Sequence, residues 1–136
     1  MLNTLTALAA RVFGRSRSKV PRSVLIILSD GPSDGDSTWN ALRLAVTLLE
    51  RKSPVRIFVM NDAIDVVRKG AMSEGAEFDL QAMLRDLLPK GGRIKICTTC
   101  VTRCGIGHGE VIPEAIMATM GDLASWITES DRVVVF

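Results

Sequence analysis

Four short apolar segments, separated by stretches with helical spacing, constrain the fold of this chain more than any other feature. Residues 23–29, SVLIILS, form a continuous apolar run, which is typical of a strand buried on both faces of a parallel sheet. Residues 55–60, VRIFVM, and 93–97, RIKIC, predict a second and a third strand. Residues 132–136, RVVVF, predict a last strand, so that the chain should contain one sheet of at least four strands.

Apolar residues in the intervening stretches repeat every three or four positions, as in amphipathic helices. One predicted helix starts at a cap, Ser37 or Thr38, and runs to about Glu50, and another covers residues 79–88. We also predict one or two helical turns over residues 63–69, and helices over 113–120 and 121–129 with a break at Gly121. Residues 98–109 are predicted to be mostly loop. The order β-α-β-α-β-α-β predicts an α/β fold, a three-layer parallel β-sheet flanked by helices on both faces.

The distribution of charge divides the 136 residues into a basic N-terminal extension and one domain. Residues 1–22 contain five basic side chains and no acidic one, which leaves 12 basic and 15 acidic residues, a net charge of −3, in residues 23–136. A nucleic-acid-binding domain needs a basic stripe on its folded body. The mildly acidic body therefore argues against nucleic acid as a partner.

The extension combines apolar residues at near-helical spacing with basic residues that follow them. A secretory signal has its charges before the apolar run, so we interpret residues 1–22 as a short amphipathic helix and a linker. A transit peptide or a helix lying on a membrane surface are the alternatives. No stretch approaches the roughly 20 apolar residues of a membrane span.

Three cysteines, Cys97, Cys100 and Cys104, lie within eight residues at the end of the third predicted strand. An odd, clustered count does not fit a secreted disulfide framework, and it predicts a reducing, cytoplasmic location. Ligands of open parallel sheets bind outside the carboxyl ends of the strands. We therefore expect the site where the loops 30–36, 60–62 and 97–109 meet.

Several chemistries fit this cluster. A reactive or sulfur-carrying thiol needs nearby positive charge to favour the thiolate, and Arg103 could pair with such an anion. Cys97 and Cys100 have the C-x-x-C spacing of dithiol redox proteins. Cys97, Cys100, Cys104 and His108 could instead hold zinc or an iron–sulfur cluster, although His108 lies between glycines and should be exposed. Finally, a cysteine at a strand end can simply be a small buried apolar residue.

Four segments in this order resemble the small DsrE-like sulfur-relay proteins, the DsrE/DsrF/TusD group. They are SVLIILSDGPSDGDSTWNALRLAVTLLE, VRIFVMNDAI, KICTTCVTRCGI and DLASWITESDRVVVF. The resemblance covers about residues 23–136 and implies a DsrE-like α/β domain that assembles as a homo-oligomer, a trimer or a hexamer. It also implies a sulfurtransferase or sulfur carrier that needs no cofactor, receiving sulfur from a donor protein as a cysteine persulfide and passing it to an acceptor protein.

The resemblance also implies roles for single residues. Cys97 matches the carrier cysteine of the family, and the run from Cys97 to Cys100 resembles its CGTC-type pair, with Thr98 in place of the Gly. Relatives commonly have Arg directly before the Gly that follows, whereas here Cys104 precedes Gly105 and Arg103 comes one position earlier. This departure suggests a disulfide between Cys104 and either Cys97 or Cys100, or a metal site. The alternative function is therefore a metal-binding or thiol–disulfide redox protein without transferase activity.

Overall fold

A computed structural model describes residues 22–33, 35–71 and 77–136 of the chain. They form one sheet of five parallel strands in the order β4-β3-β2-β1-β5. The strands are β1 (Val24–Leu28), β2 (Val55–Val59), β3 (Arg93–Cys97), β4 (Ile116–Ala118) and β5 (Arg132–Val135). The helices are α1 (Ser37–Glu50), α2 (Leu80–Arg85), α3 (Thr98–Arg103) and α4 (Met120–Glu129), with 3-10 turns at Asn61–Val66 and His108–Glu110. Residues 1–21 of the predicted extension lie outside the described residues.

Side chains that alternate along each strand build a separate apolar core on each face of the sheet. Ile26 and Leu28 of β1 pack on one face with residues of α1, α2 and α3, such as Leu42 and Leu84. Leu25, Ile27, Phe58 and Cys97 pack on the opposite face, where Leu123 and Trp126 of α4 cover them. The Trp126 ring contacts the Phe58 ring edge-on at 6.5 Å between centroids. The predicted three-layer architecture, with helices on both faces, is confirmed.

The helices that connect the strands account for the layers on the two faces of the sheet. The chain moves across the sheet from β1 to β4 with α1, α2 and α3 on one face, and α4 then returns over the other face to place β5 beside β1. The strands at the two edges of the sheet, β4 and β5, are both short. The carboxyl ends of β1, β2 and β3 lie side by side, as expected for neighbouring parallel strands.

The predicted helix over residues 113–120 is wrong. Residues 113–115 form a turn, and Ile116–Ala118 is the edge strand β4, which pairs with β3 from Lys95 to Cys97. Met117 and Ala118 favour helices on their own, but backbone pairing with β3 outweighs this preference. Helix α4 begins only after Thr119, whose hydroxyl accepts the Asp122 N–H in a capping box.

Three other boundaries differ from the predictions. The predicted loop after Cys97 contains the helix α3, and the helix predicted over 79–88 ends at Arg85 and continues as turns. Neither predicted residue caps α1 with its side chain. The N-cap is Asp36, and the buried Thr38 hydroxyl donates to the Asp30 carbonyl at 2.9 Å instead.

Within the described ranges, no helix is long and apolar enough to span a bilayer.

Candidate functional site

Polar residues that directly follow three neighbouring strands meet at the carboxyl edge of the sheet. Ser29 follows β1, Asn61 lies just beyond β2, and Cys97 ends β3. Asn61 contacts both Ser29 and Cys100, so that it links the ends of all three strands. Of the loops 30–36, 60–62 and 97–109, which were expected to meet here, these contacts join the second and third, and Ser29 contacts the second from the position just before the first.

Cys97 is both the last residue of β3 and the N-cap of α3. Its sulfur accepts the Cys100 backbone N–H at 3.3 Å, which satisfies one of the free N–H groups of the first helical turn. The side chain lies in the core between the sheet and α4, among Phe58, Ala118 and Trp126, and is only 3% exposed. The backbone at Cys97 is extended, as usual for an N-cap, so the strand leads into the helix without an intervening loop.

Burial decides the protonation state of Cys97. Desolvation raises the pKa of its thiol above the ordinary value of 9.0, and the hydrogen bond with the Cys100 side chain raises it further. The N–H groups of Cys100 and Thr99 lower the pKa, but they do not outweigh burial. Cys97 is therefore a neutral thiol near pH 7 in this conformation. The burial of Cys97 thus outweighs the activating effect of the N–H groups at the start of α3.

Cys100 is the second thiol of the pair and lies one turn into α3, half-buried at the rim of both cores. Its sulfur accepts the backbone N–H of Asn61 at 3.4 Å and lies 4.0 Å from the side-chain oxygen of Asn61. Cys100 thus combines access to solvent with fixed polar partners, while Cys97 beside it is shielded. Buried and accessible thiols in contact can exchange a sulfur atom or form a disulfide.

Asn61 and Ser29 are functional candidates that were not predicted from the sequence. Asn61 adopts a left-handed backbone with φ 52°, and its side-chain amide donates to the Ser29 hydroxyl at 2.7 Å. The position of Asn61 directly after a buried strand was visible in the sequence. Its orientation toward Cys100 was not, because it depends on the backbone conformation at this one residue.

Cys104 and Arg103 lie at the opposite end of α3 from Cys97. The helix ends in a Schellman motif, in which the Ile106 N–H binds the Val101 carbonyl at 3.1 Å and Gly105 adopts φ 70°. Seven residues of helix rise about 10 Å, which exceeds the roughly 7 Å between Cα atoms that a disulfide can bridge. A bond between Cys97 and Cys104 would therefore require α3 to unwind, and Arg103 is not placed beside the Cys97 sulfur.

Cys100 and Cys104 face the same side of α3, one turn apart. Cβ atoms at this spacing are about 5–6 Å apart in a helix, wider than the roughly 4 Å of a disulfide. All three cysteines are free thiols, and Cys104 is exposed. Of the four thiol-site candidates from the sequence, the structure brings together Cys97 and Cys100, while Cys104 and Arg103 stand apart from them.

The alternative metal site is not assembled. His108 is exposed, as predicted, on the 3-10 turn that follows Gly107. Across residues 22–33, 35–71 and 77–136, no three Cys, His, Asp or Glu side chains lie close enough to share one metal ion. The four residues of the proposed zinc or iron–sulfur site are thus spread along α3 and the turn after it.

Comparison with known proteins places this geometry in a family. The sequence model of the DsrE/DsrF-like family matches residues 22–136. Protein YchN of Escherichia coli is 31% identical over 117 residues, which cover 85% of this chain and 99% of YchN. An uncharacterized protein of Methanopyrus kandleri is 29% identical over 83% of this chain and 93% of its own length.

Solved structures agree with the sequence matches. The crystal structure of Escherichia coli YchN superposes with a TM-score of 0.77 at 30% identity, over 85% of this chain and 99% of YchN. A protein of unknown function from Methanobacterium thermoautotrophicum shares the fold, with a TM-score of 0.64 at 17% identity over 85% of this chain and 99% of its own. The family resemblance drawn from the four sequence segments is confirmed, and this chain belongs to the DsrE/DsrF-like family.

Proposed function

We propose that this protein is a sulfur-relay protein that carries sulfane sulfur as a persulfide on the Cys97–Cys100 pair. The observation that supports this best is the pairing, at the carboxyl edge of β3, of a buried thiol with a half-exposed one whose backbone N–H donates to the buried sulfur at 3.3 Å. Such a pair offers one sulfur for exchange with a partner and one that is shielded from water. Membership in the DsrE/DsrF-like family supports a role in sulfur relay.

The transfer needs no cofactor, because sulfur moves between thiols without net oxidation. A thiolate of the pair attacks the outer sulfur of a donor persulfide. The donor S–S bond breaks, the donor thiolate leaves with the electron pair, and a new persulfide forms on this protein. The thiolate of an acceptor protein then attacks the outer sulfur in the same way, which returns the thiolate of the carrier and leaves the persulfide on the acceptor.

The pair also allows sulfur to move within the protein. A Cys97 thiolate that attacks the outer sulfur of a Cys100 persulfide forms a Cys97 persulfide and releases the Cys100 thiolate. Cys97 is the carrier that the family resemblance implies, and its 3% exposure would protect a bound persulfide from competing thiols. Donor and acceptor proteins, and a cytoplasmic location, are part of this proposal.

Intact-mass spectrometry of the reduced, metal-free protein after exposure to an organic persulfide tests the function. We expect mass increases in steps of one sulfur atom, removed by dithiothreitol, in the wild type and in Cys104→Ser, which is the matched control from the same helix. The double variant Cys97→Ser/Cys100→Ser should gain none, and Cys97→Ser alone tests whether Cys97 is the final carrier. If the wild type takes up no sulfur, or if the double variant loads equally well, the proposal is wrong.

The same thiol contact favours one second candidate, a thiol–disulfide redox protein. The C-x-x-C spacing and the hydrogen bond from the Cys100 backbone N–H to the Cys97 sulfur bring Cys97 and Cys100 together without any third residue. In that case an oxidised dithiol reagent would convert the pair to a disulfide with the loss of two hydrogen atoms and no added sulfur. The two functions thus differ in the sign of the mass change.

A further inference from the structure

The conformation of Asn61 is unusual for a residue with a side chain. Among the non-glycine residues that the structure describes, only Lys52 and Asn61 have positive φ angles, and Asn61 has φ 52°. Asparagine tolerates this left-handed region better than most residues, at a cost of about 1–2 kcal/mol for an ordinary side chain. The backbone N–H of this residue donates to the sulfur of Cys100 at 3.4 Å, at the point where the chain turns away from β2.

The side chain of Asn61 reaches the same sulfur from a second direction. Its oxygen lies 4.0 Å from the Cys100 sulfur, and its amide nitrogen donates to the Ser29 hydroxyl at 2.7 Å. Ser29 is itself fixed, because its N–H donates to the Phe136 carbonyl at 2.7 Å and its carbonyl accepts the Ala63 N–H at 3.3 Å. One residue therefore presents two polar atoms to Cys100 on a rigid support.

We propose that Asn61 is a positioning residue that holds Cys100 as the thiol that attacks incoming sulfur. The amide group can satisfy both states of this thiol. With a neutral thiol, the Asn61 oxygen accepts the S–H and the nitrogen donates to Ser29. After deprotonation, a half-turn of the amide directs the nitrogen to the sulfur anion, and the Ser29 hydroxyl donates to the oxygen. The number of hydrogen bonds stays the same in both states.

The proposal deepens the sulfur-relay function and rests on it for the identity of the cargo. It assigns different tasks to the two thiols. Cys97 is buried and neutral, so it is a poor first nucleophile. Cys100 is half-exposed, and the Asn61 N–H donates to its sulfur at 3.4 Å, so that this sulfur is both accessible to a donor and held in place. Sulfur would therefore enter at Cys100.

The test measures the pH profile of alkylation of Cys100 by iodoacetamide, resolved by peptide mass spectrometry in the full chain carrying Cys104→Ser. Asn61→Gly keeps the positive φ and the backbone N–H but removes the amide, and Asn61→Asp replaces the amide by an isosteric carboxylate. We expect the rate to fall roughly threefold to tenfold in Asn61→Gly, because the amide no longer holds the attacking sulfur through a hydrogen bond while the backbone N–H remains. The fall should be larger in Asn61→Asp because of charge repulsion with the attacking thiolate.

Lys52→Gly is the matched control, because it changes the other left-handed residue, which precedes β2 far from the thiols. It should leave the profile of Cys100 unchanged. Profiles for folded Asn61→Gly that coincide with wild type would overturn the proposal, even if Asn61→Asp fails to fold. Alkylation requires no persulfide, so this result is independent of whether the wild type takes up sulfur. If it does, initial uptake should also be slower in Asn61→Gly.

Discussion

The sulfur of Cys97 is subject to two opposing effects that its neighbours create. The N–H groups at the start of α3 favour a thiolate, while burial between the sheet and α4 favours the neutral thiol, and burial is the larger effect. A thiol at this position is thus stable but not reactive until its surroundings change. This is consistent with a task as holder of sulfur rather than as first nucleophile.

The raised pKa of Cys97 predicts a loss of stability in alkali. The folded state binds the thiol proton more tightly than the unfolded chain, so its contribution is complete below the unfolded value of 9.0 and is lost as the pH rises through the folded pKa. Denaturant unfolding followed above pH 9 should show a steeper decline in wild type than in Cys97→Ala. Cys104→Ala, which removes an exposed thiol, should decline as wild type does. Equal slopes in all three proteins would contradict the burial argument.

At the scale of elements, one glycine determines where the helix α3 ends. Gly105 has φ 70°, and the Schellman hydrogen bonds around it terminate α3 between Cys104 and Ile106. A Cβ atom at Gly105 would meet no neighbour within 4 Å, so that only the backbone conformation restricts this position. The short helix, which starts at the Cys97 cap and contains Cys100, therefore has a defined length.

Gly105→Ala should destabilise the protein by about 1–2 kcal/mol, the cost of a left-handed alanine. Gly109→Ala is the control from the same loop, because its Cβ also meets open space and its φ is not in the left-handed region. Thermal unfolding should separate the two variants, with Gly109→Ala close to wild type. If both variants lose the same stability, the left-handed φ of Gly105 is not the cause.

The strands and helices whose own residues show a strong apolar pattern were predictable from the sequence. Those that depend on pairing with a neighbouring strand or on a capping residue were not. The apolar run of β1 and the spacing of α1 are properties of the segments themselves. Strand β4 contains helix-forming Met117 and Ala118 and becomes a strand only because β3 offers a free edge. Likewise, α3 depends on the Cys97 cap and on Gly105. For the site, the cysteines were visible in the sequence, whereas Asn61 required knowledge of its backbone angle.

On the scale of the whole molecule, the carboxylate of Asp131 connects the start of the edge strand β5 to the start of β1 by hydrogen bonds. Asp131 accepts the Ser23 N–H at 2.7 Å and the Ser23 hydroxyl at 3.1 Å, where both strands begin. The backbone hydrogen bond, and then the hydroxyl, lower the pKa of Asp131 below its usual value of 3.8. The stabilisation is therefore complete above pH 3.8 and disappears as the pH falls through the lower, folded pKa.

Asp131→Asn should lower the melting temperature at neutral pH, because an amide accepts these hydrogen bonds more weakly than a carboxylate. The difference from wild type should shrink as the solution is acidified below pH 3.8 and disappear once the pH has passed the lower, folded pKa, where the wild-type carboxyl is also neutral. Melting curves recorded across this range check the prediction, and Asp62→Asn, an exposed carboxylate on the turn after β2, is the control. A difference that does not depend on pH would show that charge is not involved.

The face of the sheet under α4 is incompletely covered. One helix spans five strands there, and Val133 and Val135 on one edge and Ile116 on the other remain 40%, 65% and 59% exposed. Parallel sheets are normally covered on both faces. The homo-oligomer implied by the family resemblance would supply the missing cover, and we propose that a second copy of the chain packs against β5.

Replacing Val135 by Lys tests this proposal, since a charge at an apolar contact between copies costs its desolvation, whereas on a free surface it costs almost nothing. Light scattering after size-exclusion chromatography should give the mass of three or six chains for wild type and a smaller mass for Val135→Lys. Thr47→Lys places the same charge on the exposed side of α1, over the opposite face of the sheet, and should leave the assembly intact. A monomeric wild type would refute the assembly itself. If Val135→Lys assembles fully, the copies do not pack against β5 as proposed. The exposed Ile116 on the β4 edge would then be the next position to substitute.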